Sequence, residues 1–271
     1  MLAAIALAGL VRSWWRRTLG RRSDRYARLA RLGTGAQLSF FTAVLGEPPA
    51  IRRKLTAAVP ELIEGSDEFV QVEMILWESF FIDRDYYVQT LTDETDTVVA
   101  FSVTTRHATF RPTFYGVRGP SRLERIWLKS RRRPTWTSLF KVRLGHTRFA
   151  NIETWTGPEK IKAFLGARPF GYSERYYFGN PGYYLHYVFT ASSAAGRAPV
   201  GPINEVVDIG DFEWPSDTDM RSFEEVSQSV GIARMRRDTA VTTYTVIGDW
   251  RLVDSYPTTY GPQGDEVRVL P

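Results

Sequence analysis

The chain has 271 residues, 43% of them hydrophobic, and it contains no cysteine. A chain of this length and apolar content can build a core unaided, and the absence of thiols excludes cysteine-ligated zinc, iron–sulfur clusters and thiolate catalysis. The net charge of +5 is uneven: residues 12–31 carry eight arginines against one aspartate, a balance of +7, and residues 118–148 carry ten basic residues against one glutamate, a balance of +9, so the rest of the chain carries −11.

The N-terminal 15 residues combine an apolar stretch with aromatic and basic residues. Eleven uncharged residues precede Arg12, and Trp14 and Trp15 lie beside Arg16 and Arg17. A spanning helix needs about 20 apolar residues, and here the arginines follow the apolar stretch, unlike those of a secretory signal. Tryptophan next to arginine is typical of the cytoplasmic membrane interface. Three interpretations stay open for residues 1–15: part of a membrane anchor whose start lies upstream, a segment lying in the headgroups, and an apolar terminus packed on the protein.

A basic juxtamembrane helix is predicted within residues 16–33, with Ser23 as a candidate N-cap. If the chain is anchored, most of it lies in the cytoplasm at the cell membrane; otherwise the protein is cytoplasmic. In either case the first basic segment is expected to contact an anionic membrane surface. Its candidate binding residues are Arg16, Arg17, Arg21 and Arg22, with Trp14 and Trp15 at the membrane interface.

A first folded unit is predicted over residues 34–115. A helix should run from about residue 35 to Leu45 and end at Gly46, a left-handed cap residue, with Pro48 preventing its resumption. Alternating apolar residues then predict a strand at 69–77 and a hairpin of strands at 86–91 and 98–103.

A second copy of the same pattern is predicted in residues 142–200. The sequence Ala-x-Leu-Gly-x-x-Pro at 43–49 recurs at 163–169. A helix from Thr156 to Leu165 should therefore end at Gly166, with Pro169 beyond it, before strands at 172–178 and 183–189. The recurrence predicts an α+β fold: two related helix-plus-antiparallel-sheet units in two layers, behind the N-terminal apolar and basic helical segment.

The C-terminal residues 201–271 are expected to extend the same globular body. They contain a predicted short helix at 223–230 and predicted strands at 239–247 and 250–253.

The order of helix, Leu-Gly, Pro and aromatic antiparallel strands resembles the repeat of the outer-membrane-assembly lipoproteins called SmpA or BamE, and that of β-lactamase-inhibitor proteins. The resemblance implies a two-layer α+β unit that acts by protein–protein contact rather than catalysis. It covers two separate segments, and the lipobox cysteine of the lipoproteins is missing. The stretch from Tyr177 to Gly182 also resembles a bacterial family of membrane-anchored proteins.

A basic loop is predicted between the two units, at residues 116–141. Lys129, Arg131, Arg132 and Arg133 lie between Trp127 and Trp136. Such a loop can bind anionic lipid, or it can bind nucleic-acid phosphates while the tryptophans stack on bases. It can also be a solvent-exposed loop with no binding role. Lipid is preferred over nucleic acid because no standard RNA- or DNA-binding motif is present.

No catalytic motif stands out. The three histidines have no metal-ligand spacing, and the chain lacks the nucleophile-elbow, phosphate-loop and dinucleotide-binding motifs. No catalytic residue, metal or cofactor is therefore predicted. The sequence favours a non-catalytic, membrane-associated binding or scaffolding protein with an anionic membrane and another protein as partners; the alternatives are a nucleic-acid-binding protein and an enzyme of unrecognised type.

Overall fold

One curled antiparallel sheet dominates the computed structural model, which describes residues 21–63, 68–107, 109–116, 140–152, 157–165, 170–177, 185–192, 221–222 and 230–253. The described strands are β1 (Ile51–Leu62), β2 (Phe69–Ile82), β3 (Tyr86–Thr92), β4 (Val98–Thr105), β5 (Thr113–Gly116), β6 (Phe140–Arg143), β7 (Lys160–Leu165), β8 (Phe170–Tyr177), β9 (His186–Ser192), β10 (Arg221–Ser222) and β11 (Thr243–Ile247). The described helices are α1 (Arg21–Leu29), α2 (Leu38–Leu45) and α3 (Val230–Asp238), with 3-10 turns at Phe149–Asn151 and Trp250–Leu252.

Nine strands form the main sheet in the order β1-β2-β3-β4-β11-β9-β8-β7-β10, and β5 and β6 form a separate pair. All pairings within the described residues are antiparallel. The predicted fold class is therefore wrong. The chain is mostly sheet with few helices, and it does not form two related helix-plus-sheet units in two layers.

The second Ala-x-Leu-Gly motif explains part of this difference. Its Ala and Leu lie in β7, where a helix from Thr156 to Leu165 was expected. β7 pairs with all but the last two residues of β8, and the N–H of Glu159 extends the ladder by donating to the C=O of Arg175 at 2.7 Å. Cross-strand pairing outweighs a local helix-start signal because strand preference depends mainly on such neighbours. Gly166 thus follows a strand, and it lies with Pro169 outside the described residues.

The helix end and the hairpin of the first copy agree with the sequence prediction, whereas the long strand β1 was not predicted. α2 ends at Gly46, whose φ of 88° is left-handed and whose N–H donates to the C=O of Thr42 at 2.9 Å. Pro48 follows two residues later. The hairpin of β3 and β4 is also confirmed, and the carboxylate of Asp93 holds its turn by accepting from the backbone N–H groups of Thr95 and Thr97.

One strand from the C-terminal part of the chain, β11, lies in the middle of the sheet. β11 pairs with β4 on one side and with β9 on the other, five residues each. It joins the N-terminal meander of β1 to β4 to the later meander of β7 to β9. The strand predicted at 250–253 is wrong: Trp250–Leu252 forms a 3-10 turn capped by Asp249.

Two cores cover the opposite faces of the sheet. The larger contains α1, α2, α3 and the β5–β6 pair, and Tyr244 of β11 lies at its centre. The Tyr244 ring stacks on Phe114 with centroids 4.3 Å apart and has Phe189 at 6.1 Å. The smaller core lies on the other face and brings the long strands β1 and β2 against Leu252 and Val253.

Candidate binding surface

The β1–β2 hairpin extends beyond the rest of the sheet. β1 and β2 pair along twelve residues, from Ile51 opposite Phe80 to Leu62 opposite Phe69. β3 pairs only with Trp77 to Ile82 of β2. Residues 69–76 of β2 therefore have β1 as their only strand neighbour in the described chain. At roughly 3.3 Å per residue, the hairpin projects on the order of 25 Å past β3.

Large apolar side chains are exposed at the end of this hairpin. Their exposed fractions are 57% for Phe69, 52% for Leu62, 50% for Trp250, 42% for Val70 and 38% for Ile63. We call these five residues the apolar end. Leu62 and Phe69 are paired across the two strands and lie on the same face of the hairpin, and the Phe69 and Trp250 rings meet edge to face with centroids 6.0 Å apart, so these three side chains form one surface. Val70 follows Phe69 in β2, so its side chain lies on the opposite face. Single exposed apolar residues are common, whereas a cluster of them marks an interaction site.

The strands that carry the apolar end are packed against the smaller core. On the inner side of the hairpin, Leu76 and Val59 are fully buried, and Leu55, Ala57 and Met74 are partly buried against the smaller core. The β1–β2 pairing fixes the register of the two strands, and so it fixes the positions of the exposed side chains. Those side chains bury little area themselves. Pro60 fits this edge strand because it has no backbone N–H to donate.

A groove of about 380 Å³ lies beside the apolar end, between the hairpin and the β3–β4 turn. Its apolar lining includes Val59, Val72 and Met74, and the charged residues among its described lining are Glu61, Glu73, Asp93, Glu94 and Arg251. Four carboxylates thus face one guanidinium. Glu73 and Glu94 form no ion pair with any basic residue that the structure describes.

Arg251, the one basic residue in the described lining of this groove, is already neutralised. Arg251 Nη2 lies 2.6 Å from Asp249 Oδ2. The pKa of Arg251 is raised, first by its hydrogen bond to Asp249 and further by the charges of Asp249 and Glu61. We call this groove the acidic groove, because its remaining charge is negative.

A buried polar cluster lies on the other side of the sheet. Glu174 of β8 is fully buried and accepts from Tyr172 OH at 2.6 Å, from Tyr176 OH, and from Nε of Arg236 in α3 at 2.7 Å. Burial raises the pKa of Glu174, against the opposing effects of Arg236 and the two hydroxyls. Every carboxylate oxygen has a partner, so the cluster ties α3 to the sheet.

The described residues give no sign of a metal centre or a membrane-spanning helix. Nowhere in them do three histidine, aspartate or glutamate side chains come close enough together to hold a metal ion. None of the helices among them has the length and apolar content needed to cross a bilayer.

The residues predicted to bind an anionic surface fall mostly outside the described part of the chain. Trp14, Trp15, Arg16, Arg17, Lys129, Arg131, Arg132 and Arg133 all lie there. Arg21 and Arg22 begin α1, and Arg22 Nη2 donates to Thr109 Oγ1 at 3.3 Å. The shared membrane surface therefore stays a prediction.

The apolar end and the acidic groove were not found from the sequence. Leu62 and Phe69 are ordinary strand residues, and only their position beyond β3 exposes them. The one sequence signal was the density of carboxylates from Glu61 to Glu73 among apolar residues. Comparisons with family models, with curated proteins and with solved structures gave no match.

Proposed function

We propose that this protein is a binding protein whose contact surface is the apolar end of the β1–β2 hairpin. The observation that carries the proposal is the set of three exposed apolar side chains, Leu62, Phe69 and Trp250, that lie together at the end of the hairpin. Covering the exposed half of such a side chain contributes on the order of 1 kcal/mol. Three of them offset part of the cost of association, and aromatic side chains such as Phe69 and Trp250 are the usual anchors of an interface.

Photo-crosslinking in cells that naturally produce the protein tests the proposal. The photoreactive residue p-benzoylphenylalanine replaces Phe69 in one variant and Tyr115 in a matched control. Tyr115 is 52% exposed, close to the 57% of Phe69, but it lies on β5, which pairs with β6 outside the main sheet that contains the hairpin. We expect a discrete adduct from position 69 and none from position 115. Equal adducts at both positions, or none at position 69, would refute the proposal.

Membrane association through the two basic segments remains a separate proposal for the same protein. Its support is the balance of +7 and +9 in segments of an otherwise acidic chain. Replacing Arg131, Arg132 and Arg133 by Gln should weaken binding to acidic liposomes by roughly two orders of magnitude, since each basic residue near such a surface contributes about 1 kcal/mol. Equal binding of the unmodified protein to neutral and acidic liposomes would contradict it.

A further inference from the structure

We infer that the hairpin surface binds a basic, apolar segment of a partner protein, with arginines or lysines in the acidic groove and aromatic or aliphatic side chains against the apolar end. This inference rests on the proposed function and adds the chemistry of the partner.

The charge of the groove selects the class of partner. Four carboxylates line it, and Arg251, the only basic residue in its described lining, is paired with Asp249. A nucleic acid or an acidic lipid headgroup would meet repulsion at this surface, whereas a cationic side chain would be attracted to it. The apolar end next to it favours a partner segment that also carries apolar side chains, because a purely polar cation would leave the exposed Leu62, Phe69 and Trp250 uncovered.

The two surfaces are close enough for one short segment to reach both. Phe69 and Val70 precede Val72 to Ile75 of the groove in the same strand. At roughly 3.3 Å per residue, these positions are separated by on the order of 10 to 20 Å. An extended peptide of about six residues covers that distance, so a segment with basic and aromatic residues close together in sequence satisfies both surfaces at once.

A fluorescently labelled synthetic peptide provides the probe. The chain itself contains a sequence of the right chemistry at residues 125–137, Arg-Ile-Trp-Leu-Lys-Ser-Arg-Arg-Arg-Pro-Thr-Trp-Thr, which serves here only as a chemical example. We expect the peptide to bind the full-length protein, with an affinity that falls as salt screens the charges. A second peptide, with its tryptophans, leucine and isoleucine replaced by serine, keeps the charge and should bind at least tenfold more weakly.

Two variants with the same change in net charge locate the site. Glu73→Gln/Glu94→Gln removes two carboxylates of the acidic groove, and Asp24→Asn/Glu47→Gln removes two exposed carboxylates elsewhere. We expect the groove variant to bind the peptide about five- to tenfold more weakly, as two surface charge pairs predict. The control variant should bind like the unmodified protein.

Several results would overturn the inference: equal weakening in both variants, equal binding of the serine-substituted peptide, or no binding at low salt. Sedimentation velocity of the protein alone tests a second copy as occupant, and a dimer abolished by Phe69→Ser would also overturn it. A crosslink from position 69 to a lipid, or to a protein segment without basic residues, would refute the basic partner while the proposed contact surface stands.

Discussion

At the scale of single residues, the buried Glu174 is expected to have a large effect on stability. Glu174 has no exposure to solvent, and all three of its donors come from residues that are themselves largely buried or packed on the sheet. Two of them, Tyr172 and Tyr176, lie two residues before and after it on the same face of β8, because side chains of a strand alternate. The third, Arg236, comes from α3.

Removing this carboxylate should therefore destabilise the fold. Glu174→Leu leaves two hydroxyls and one guanidinium without their acceptor, and we expect the free energy of unfolding to fall by about 3 to 5 kcal/mol. Adding Arg236→Met should restore part of the lost free energy of unfolding, because it removes the buried guanidinium that no longer has an acceptor. Urea denaturation measures both values.

The control for this experiment is Glu73→Leu, which changes an exposed glutamate of β2 and should stay within about 0.5 kcal/mol of the unmodified protein. A Glu174→Leu variant as stable as that control would show that the buried cluster contributes nothing to folding.

At the scale of elements, the length of a strand beyond its neighbours determines what is exposed. β2 is exposed over its first residues and buried over its last ones, and the change occurs close to where β3 begins to pair with it. One end of β2 is therefore part of the packed sheet, and the other end is exposed to solvent.

The end of helix α2 depends on a single residue, Gly46. Gly46→Ala tests that helix end. Gly46 has a φ of 88°, which a residue with a Cβ adopts only with strain. We expect the free energy of unfolding to fall by about 1 kcal/mol. A Cβ at Gly46 would approach Arg28 Nη1 no closer than 3.5 Å, so backbone strain rather than a clash causes the loss.

Gly33→Ala is the matched control, because Gly33 has no left-handed φ and a Cβ there would meet nothing within 4 Å. This variant should unfold at the same denaturant concentration as the unmodified protein, or at a slightly higher one. Equal destabilisation by both variants would argue against the cap.

At the scale of the whole molecule, a late strand completes the sheet. β11 supplies the pairing partner of both β4 and β9, and hydroxyls join it to β4 across a separation of 139 residues, with Thr104 Oγ1 and Thr243 Oγ1 2.9 Å apart. Without β11, the meander of β1 to β4 and the meander of β7 to β9 have no strand that joins them into one sheet.

A fragment of residues 1–200 should for this reason lack a cooperative unfolding transition. It leaves the edges of β4 and β9 unpaired and the aromatic neighbours of Tyr244 uncovered. Thermal unfolding followed by near-UV circular dichroism checks the prediction. Adding residues 201–271 as a second fragment should restore a transition, while a cooperative transition of residues 1–200 alone would contradict it.

The sequence by itself determined the features that depend on neighbouring residues. The end of α2 at Gly46 was predictable because a helix cap involves a few consecutive residues. The β3–β4 hairpin was predictable because two apolar strands flank a short polar turn. The absence of cysteine excluded thiol chemistry without any knowledge of the fold.

Only the tertiary structure decided the rest. The stretch Lys160–Leu165 carries a helix-like signal but becomes a strand because β8 pairs with it. Thr243–Ile247 was expected as a strand, but its place between β4 and β9 depends on contacts with residues far away in the chain. The apolar end is a surface only because β3 stops short of it. Each of these outcomes depends on the free energy of pairing and burial between distant segments, which no local pattern contains.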